Sequence, residues 1–279
     1  MEGLIELIQY QYFINAIIAA FLAAISCGIA GAYVVSRRIV FISGGITHTS
    51  FGGIGIGYFF GFNPVLGAAV FSVLSGLGIE YFTRKGDIRN DSVIAMIWSL
   101  GMAIGVIFIY LTPGYAPNLM TYLFGSILTV NNTDLIMLAG LSIVLILFFS
   151  IFFRRIQYIS FDQEYASSLN LYVGFINYSL MTLVALTIVF NIKLVGIILL
   201  LSMLTIPQNT ANLLTKDFKK IIYLSIIIGF TGSLCGLVIS YFLNIPSGAT
   251  IIFSLVSIYL VLRVFLGIRK GILLRTIPG

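Results

Sequence analysis

Nine runs of spanning length, none holding more than one charged side chain, follow one another along the chain: Tyr12 to Val35, Val40 to Phe60, Pro64 to Phe82, Ser92 to Leu111, Leu135 to Phe153, Leu171 to Phe190, Leu194 to Leu214, Ile221 to Leu243, and Ala249 to Leu266. A helix rises about 1.5 Å per residue, so a run of about 20 residues crosses the roughly 30 Å hydrocarbon layer of a bilayer. The strands of a membrane barrel would alternate apolar and polar side chains, and these runs do not alternate. The expected fold is an all-α polytopic membrane protein with about nine transmembrane helices, one transmembrane domain over residues 1–279 with its helical core at 12–268. With 59% of residues hydrophobic and 9% charged, the composition excludes a soluble enzyme, a disordered regulator and a secreted disulfide scaffold. Cys27 and Cys235 lie inside apolar runs and read as packing residues.

The basic residues supply an orientation. Arg37 and Arg38 follow the first run, and Arg84, Lys85 and Arg89 the third. Arg154 and Arg155 follow the fifth, Lys216, Lys219 and Lys220 the seventh, while Arg263, Arg269, Lys270 and Arg275 close the chain. Only Lys193 of the 15 basic residues falls on the opposite side. Short basic loops mark the cytoplasm, so the N-terminus is expected outside and the C-terminus inside, with a short basic tail over 267–279. The net charge of +6 thus belongs to the membrane surface and not to nucleic acid. The other side carries turn formers: Gly61 to Pro64, Pro113 to Asn118 and Asn244 to Gly248. Glu2 and Glu6 precede a first run too long for a signal-peptide core, which is read as a permanent helix. No connection is long enough for a folded soluble domain.

No Gly-rich loop ending in Gly-Lys-Ser/Thr is present, so the chain has no nucleotide site of that kind and is read as not being an enzyme. The one glycine cluster has Gly53, Gly57 and Gly61 at four-residue spacing, which fits close helix packing. No carboxylate lies at the centre of a run, which argues against transport driven by protons or sodium. Energy is therefore expected from a partner.

His48, the only histidine, sits about 12 Å into its run, close to the bilayer midplane, within Ser43-Gly44-Gly45-Ile46-Thr47-His48-Thr49-Ser50. A buried imidazole is either a hydrogen-bonded packing residue or a transition-metal ligand. The membrane setting and the neighbouring hydroxyls point to the second role.

These residues carry a resemblance. The stretch Asp91 to Gly105, including Ser99-Leu100-Gly101-Met102-Ala103-Ile104-Gly105, is similar to a motif of the metal-ion ABC transporter permeases, as are Leu123-Phe124-Gly125-Ser126-Ile127-Leu128 and Phe161-Asp162-Gln163-Glu164-Tyr165-Ala166 with Leu169-Asn170-Leu171. Val195-Gly196, Ile206-Pro207 and Pro246-Ser247-Gly248 follow in the family's order, so the likeness spans about residues 12–268. It implies a permease subunit of an ATP-driven importer for zinc, manganese or iron in the cytoplasmic (inner) membrane of a bacterium. The divalent ion is its substrate, and no permanently bound cofactor is expected. The implied partners are a second copy of the chain, two cytoplasmic ABC ATPases and an extracytoplasmic metal-binding protein. Import of a metal chelate such as heme or a siderophore, and a partner-independent channel or facilitator, are the competing readings.

The family usually has Asp four residues before this histidine, where this chain has Gly44. The implied metal pathway is His48 with weaker contacts from Thr47 and Ser43. Gln208 and Asn209 stand where alanines are common, and serve either interhelical hydrogen bonding or a compensating polar lining. In the basic-side loop at about 155–170, Asp162 is suited to cap a short helix through Gln163, Glu164, Tyr165, Ala166, Ser168 and Leu169, with Glu164 in its first turn. The resemblance makes this the ATPase coupling helix.

Overall fold

The computed structural model describes residues 10–85, 88–113, 125, 127–169 and 171–275, without the side chains of Lys193 and of 270–275. Glu2, Glu6, Asp87, the turn at 114–118, Leu123, Phe124, Ser126, Asn170 and the last four residues lie outside the described residues.

The helices are α1 (Gln11–Ser36), α2 (Val40–Phe60), α3 (Pro64–Lys85), α4 (Asn90–Leu111), α5 (Asn132–Phe161), α6 (Gln163–Ser168), α7 (Val173–Met203), α8 (Ile206–Leu214), α9 (Phe218–Leu243) and α10 (Ser247–Arg275). Among the described residues, eight segments are long and apolar enough to cross a membrane. The second run of the sequence also folds as a helix of spanning length, the 21-residue α2, but its Ser, Thr, His and Gly residues leave it outside those eight. Such a helix needs protein neighbours, and α2 is packed among α3, α4 and α7. The hydrophobic core sits along α1, α2 and α7, whereas α4, α5 and α10 turn much of their apolar surface outward.

Helix ends follow local chemistry. Asn131 and Asp134 form a reciprocal capping box at α5, and the Asp217 carboxylate accepts from the Lys220 N–H at the start of α9. Gly61 closes α2 in the left-handed region (φ 71°), and Asn244 does the same for α9 (φ 56°).

The seventh run, expected as one helix over Leu194 to Leu214, is broken twice. The helix of the sixth run, α7, continues through 191–193, and its backbone leaves helical geometry at Gly196 (φ 75°, ψ 165°). This conformation is essentially reserved for glycine. The vacated space is used, because Gly125 abuts the Gly196 backbone and a Cβ on Gly125 would collide with it. Two separate stretches of the family likeness therefore meet at one point. The second break, at Leu204 and Thr205, precedes Pro207, which has no N–H to give the Met203 carbonyl four residues back. The Gln208 side chain supplies the missing donor, Nε2 to Met203 O at 3.1 Å.

Candidate functional site

Both α2 and α4 start at an end of the bundle carrying arginines, Arg37 and Arg38 for one and Arg89 for the other. His48 and Trp98 each stand eight residues into their helix, so both lie about 12 Å from that end. They meet: the imidazole and indole stack in parallel, with centroids 4.3 Å apart and an interplanar angle of 7°. The Phe51 ring lies 6.4 Å from the imidazole. His48 is half-buried, and its buried Nδ1 makes no hydrogen bond among the described residues. Trp98 received no role from sequence reasoning. Two features point to it: it is the only tryptophan, and it shares its depth with His48.

Parallel α2 and α4 can stand this close because glycines line their contact. A Cβ on Gly55 would lie 2.6 Å from the Gly105 carbonyl oxygen, and one on Gly101 would lie 2.6 Å from Thr49 Cα. The face expected to pack, Gly53 and Gly57, does so against α3: a Cβ on Gly53 would collide with the Gly67 carbonyl, and one on Gly57 would lie 2.8 Å from Pro64 Cα. Gly61 departs from that expectation. Nothing lies within 4 Å of where its Cβ would be, and its left-handed φ makes it the terminator of α2. The sequence pattern registered the α3 face of this helix and missed the α4 face.

Gly44 and His48 are one turn apart on the same face. Gly44 is buried, yet a Cβ there would meet only Trp98, at an ordinary 3.9 Å, so the position accepts a Cβ without collision. Ser43 and Thr47 are fully buried on the adjoining face. Thr47 Oγ1 donates to the Ser43 carbonyl at 2.5 Å, while Ser43 Oγ has no partner among the described residues. Ser43, Thr47 and His48 therefore lie within two turns of one helix.

The structure does not bring Gln208 and Asn209 to them. Their helix, α8, packs against α1, α7, α9 and α10, and fully buried Gln208 donates to the Cys27 carbonyl of α1 at 2.8 Å as well as to Met203 O. Exposed Asn209 donates to the Thr205 carbonyl of its own helix. Gln208 thus stitches a proline break and ties α8 to α1. Among the described residues, no three of His, Cys, Asp and Glu converge as a metal cluster.

The expected short helix is α6, Gln163–Ser168, with the Asp162 carboxylate accepting from the Tyr165 N–H at 2.9 Å and Glu164 in the first turn. Ala166 is fully buried and anchors it, whereas Glu164, Tyr165, Ser168 and Leu169 are exposed. At the same end Glu80 is 3% exposed, with the charges of Arg37 and Arg84 bearing on it and Asn177 alongside. Arg84 also lies over the Tyr178 ring at 6.0 Å, which joins the end of α3 to the start of α7. The sequence signal was Glu80 itself, the single acid inside an apolar run.

Residues 9–266 match the ABC 3 transport family. The chain is 40% identical over 265 residues to an uncharacterized membrane protein of Synechocystis sp., covering 95% of this chain and 94% of that one. It is 32% identical to the manganese transport system membrane protein MntC of Listeria monocytogenes, covering 95% and 93%. Among solved structures, PsaBC from Streptococcus pneumoniae in complex with Fab superposes with a TM-score of 0.82 at 31% identity, covering 94% of each chain.

Proposed function

The chain belongs to the ABC 3 transport family, and from that premise we propose that it is the permease subunit of an ATP-driven importer that carries a divalent transition-metal ion, manganese first among them, past His48. The observation that carries this reading is the imidazole itself: the only one in the sequence, at mid-depth, stacked on Trp98, with a buried Nδ1 that no group among the described residues satisfies. An imidazole suits transition-metal ions in general, and oxygen atoms such as those of Ser43 and Thr47 beside it keep a harder ion such as manganese within reach. Manganese is also the ion in the name of the Listeria relative.

One copy supplies a single strong ligand. Two copies related by a two-fold axis would supply two imidazoles, and a homodimer is the working unit in this reading. A pair of neutral ligands without a carboxylate binds transiently, as conduction requires, because an ion held too tightly is not released. The permease is oriented with its N-terminus outside, its basic loops in the cytoplasm and α6 seated on an ATPase subunit. An extracytoplasmic metal-binding protein delivers the ion to the opposite face.

The test is manganese uptake into proteoliposomes holding the permease, its ATPase and its binding protein. Uptake should require ATP and both partners, and excess zinc or iron should show by competition how sharply the path discriminates. Equal uptake with the ATPase left out would make the chain a facilitator and end this reading.

A further inference from the structure

Away from His48, a groove of about 660 Å³ runs between α1, α5 and α9. Its walls are almost wholly apolar, and its one charged residue is Lys219, in the first turn of α9. From Lys219 the helix carries Ile222 and Ile226 about 5 and about 10 Å deeper along the groove. One turn beyond Ile226, Phe230 meets Phe21 of α1 edge to face, with ring centroids 5.2 Å apart, and this contact closes the α1 and α9 walls. Gly28 permits their close approach, since a Cβ there would lie 2.6 Å from Ile226 Cγ1. The groove is therefore an apolar slot, shut toward mid-membrane, with a cation at its mouth.

The surroundings of that mouth are basic. Exposed Arg154 follows groove-lining Phe153, and Lys216 and Lys220 flank Lys219. The nearby acids Asp162 and Asp217 are engaged as the N-caps of α6 and α9.

We propose that this groove binds an acyl chain of an anionic phospholipid, with its head-group phosphate at Lys219. A zwitterionic phospholipid would fill the slot and bring its phosphate to Lys219, but its ammonium would then stand among Arg154, Lys216 and Lys220, which repel it. A second copy of the chain docking here about a two-fold axis would set one basic cluster against another. An anionic lipid satisfies both halves of the site, and cationic pockets between helices favour such head groups by about fivefold per basic residue near the surface. This site is independent of the transport reading.

The complete permease–ATPase complex, stripped in detergent and then offered phosphatidylglycerol or phosphatidylcholine with identical acyl chains, provides the test, with retained lipid counted by native mass spectrometry. Phosphatidylglycerol should be held about fivefold better. Lys219→Gln, an exposed change that leaves the packing alone, should bring the two lipids level. Ser150→Trp, filling the groove from α5, should lower retention of both. Equal retention by the unaltered protein overturns the proposal, as does a preference that survives Lys219→Gln or undiminished retention by Ser150→Trp. Efficient disulfide formation between two copies carrying Tyr223→Cys would give the groove to a second copy and also overturn it.

Discussion

The imidazole of His48 is held by an indole and not by a hydrogen bond, and this sets what single substitutions should do. A parallel ring pair of this kind contributes about 1 kcal/mol beyond buried area. Trp98→Ala should therefore raise the KM for manganese uptake by about fivefold through a loosened ring, while Trp98→Phe, which keeps a stacking face, should stay within about twofold of the parent. Initial uptake rates over a range of manganese concentrations check both. Gly44→Asp places a carboxylate one turn from His48, at a position where a Cβ meets no collision. It should increase metal retained by the purified protein and slow release, as read by equilibrium dialysis and single-turnover uptake. The importance of His48 was legible in the sequence, because one imidazole in a span is costly unless used. Its clamp was only half legible: depth arithmetic sets Trp98 level with it, but the contact required α2 and α4 to be parallel neighbours, which no local pattern states.

At the scale of elements, apolar length announced nearly every helix, since a segment without charges has nowhere else to go. What length could not announce was where a long helix is interrupted. The sixth run ends at Phe190 in the sequence, yet the helix passes through 191–193 and yields at Gly196, where the Gly125 backbone has to fit. Glycine spacing had the same ambiguity. Gly53 and Gly61 look equivalent in the sequence, but one is pressed on α3 and the other ends α2. Their substitutions should separate the two roles. Gly53→Val drives a side chain into the Gly67 backbone and should cost about 3 kcal/mol through overpacking. Gly61→Ala meets no atom and should cost about 1 kcal/mol through its left-handed backbone alone, with Gly61→Asn milder. Thermal unfolding of the detergent-purified proteins ranks them; equal losses would contradict the assignment. For α6, a cysteine at Glu164 or Ser168 should crosslink to cysteines on the ATPase surface, in a background with exposed Cys235 replaced. Crosslinking confined to the loop at 216–220 would move the contact there.

On the scale of the whole molecule, a polar helix is carried through the membrane by its neighbours. The α3 and α4 contacts shield the glycines and hydroxyls of α2 from lipid, and the arginines and Glu80 gather at one end of the bundle. That end also holds α6, which touches α7; the start of α7 meets Arg84 of α3, and α3 packs on α2, so the proposed coupling has a continuous run of contacts to follow. In this account ATP-driven movement at the basic end changes how His48 faces the path. Reporter fusions after Arg155 should read as cytoplasmic and fusions after Asn244 as external, which checks the orientation on which the chain of contacts depends. The most direct test of the central claim is uptake of radiolabelled manganese by His48→Ala, measured beside the unaltered permease at equal membrane abundance and equal ATPase association. Uptake should fall to background with the complex intact. Normal uptake by His48→Ala would contradict it and reduce the histidine to a packing partner of Trp98.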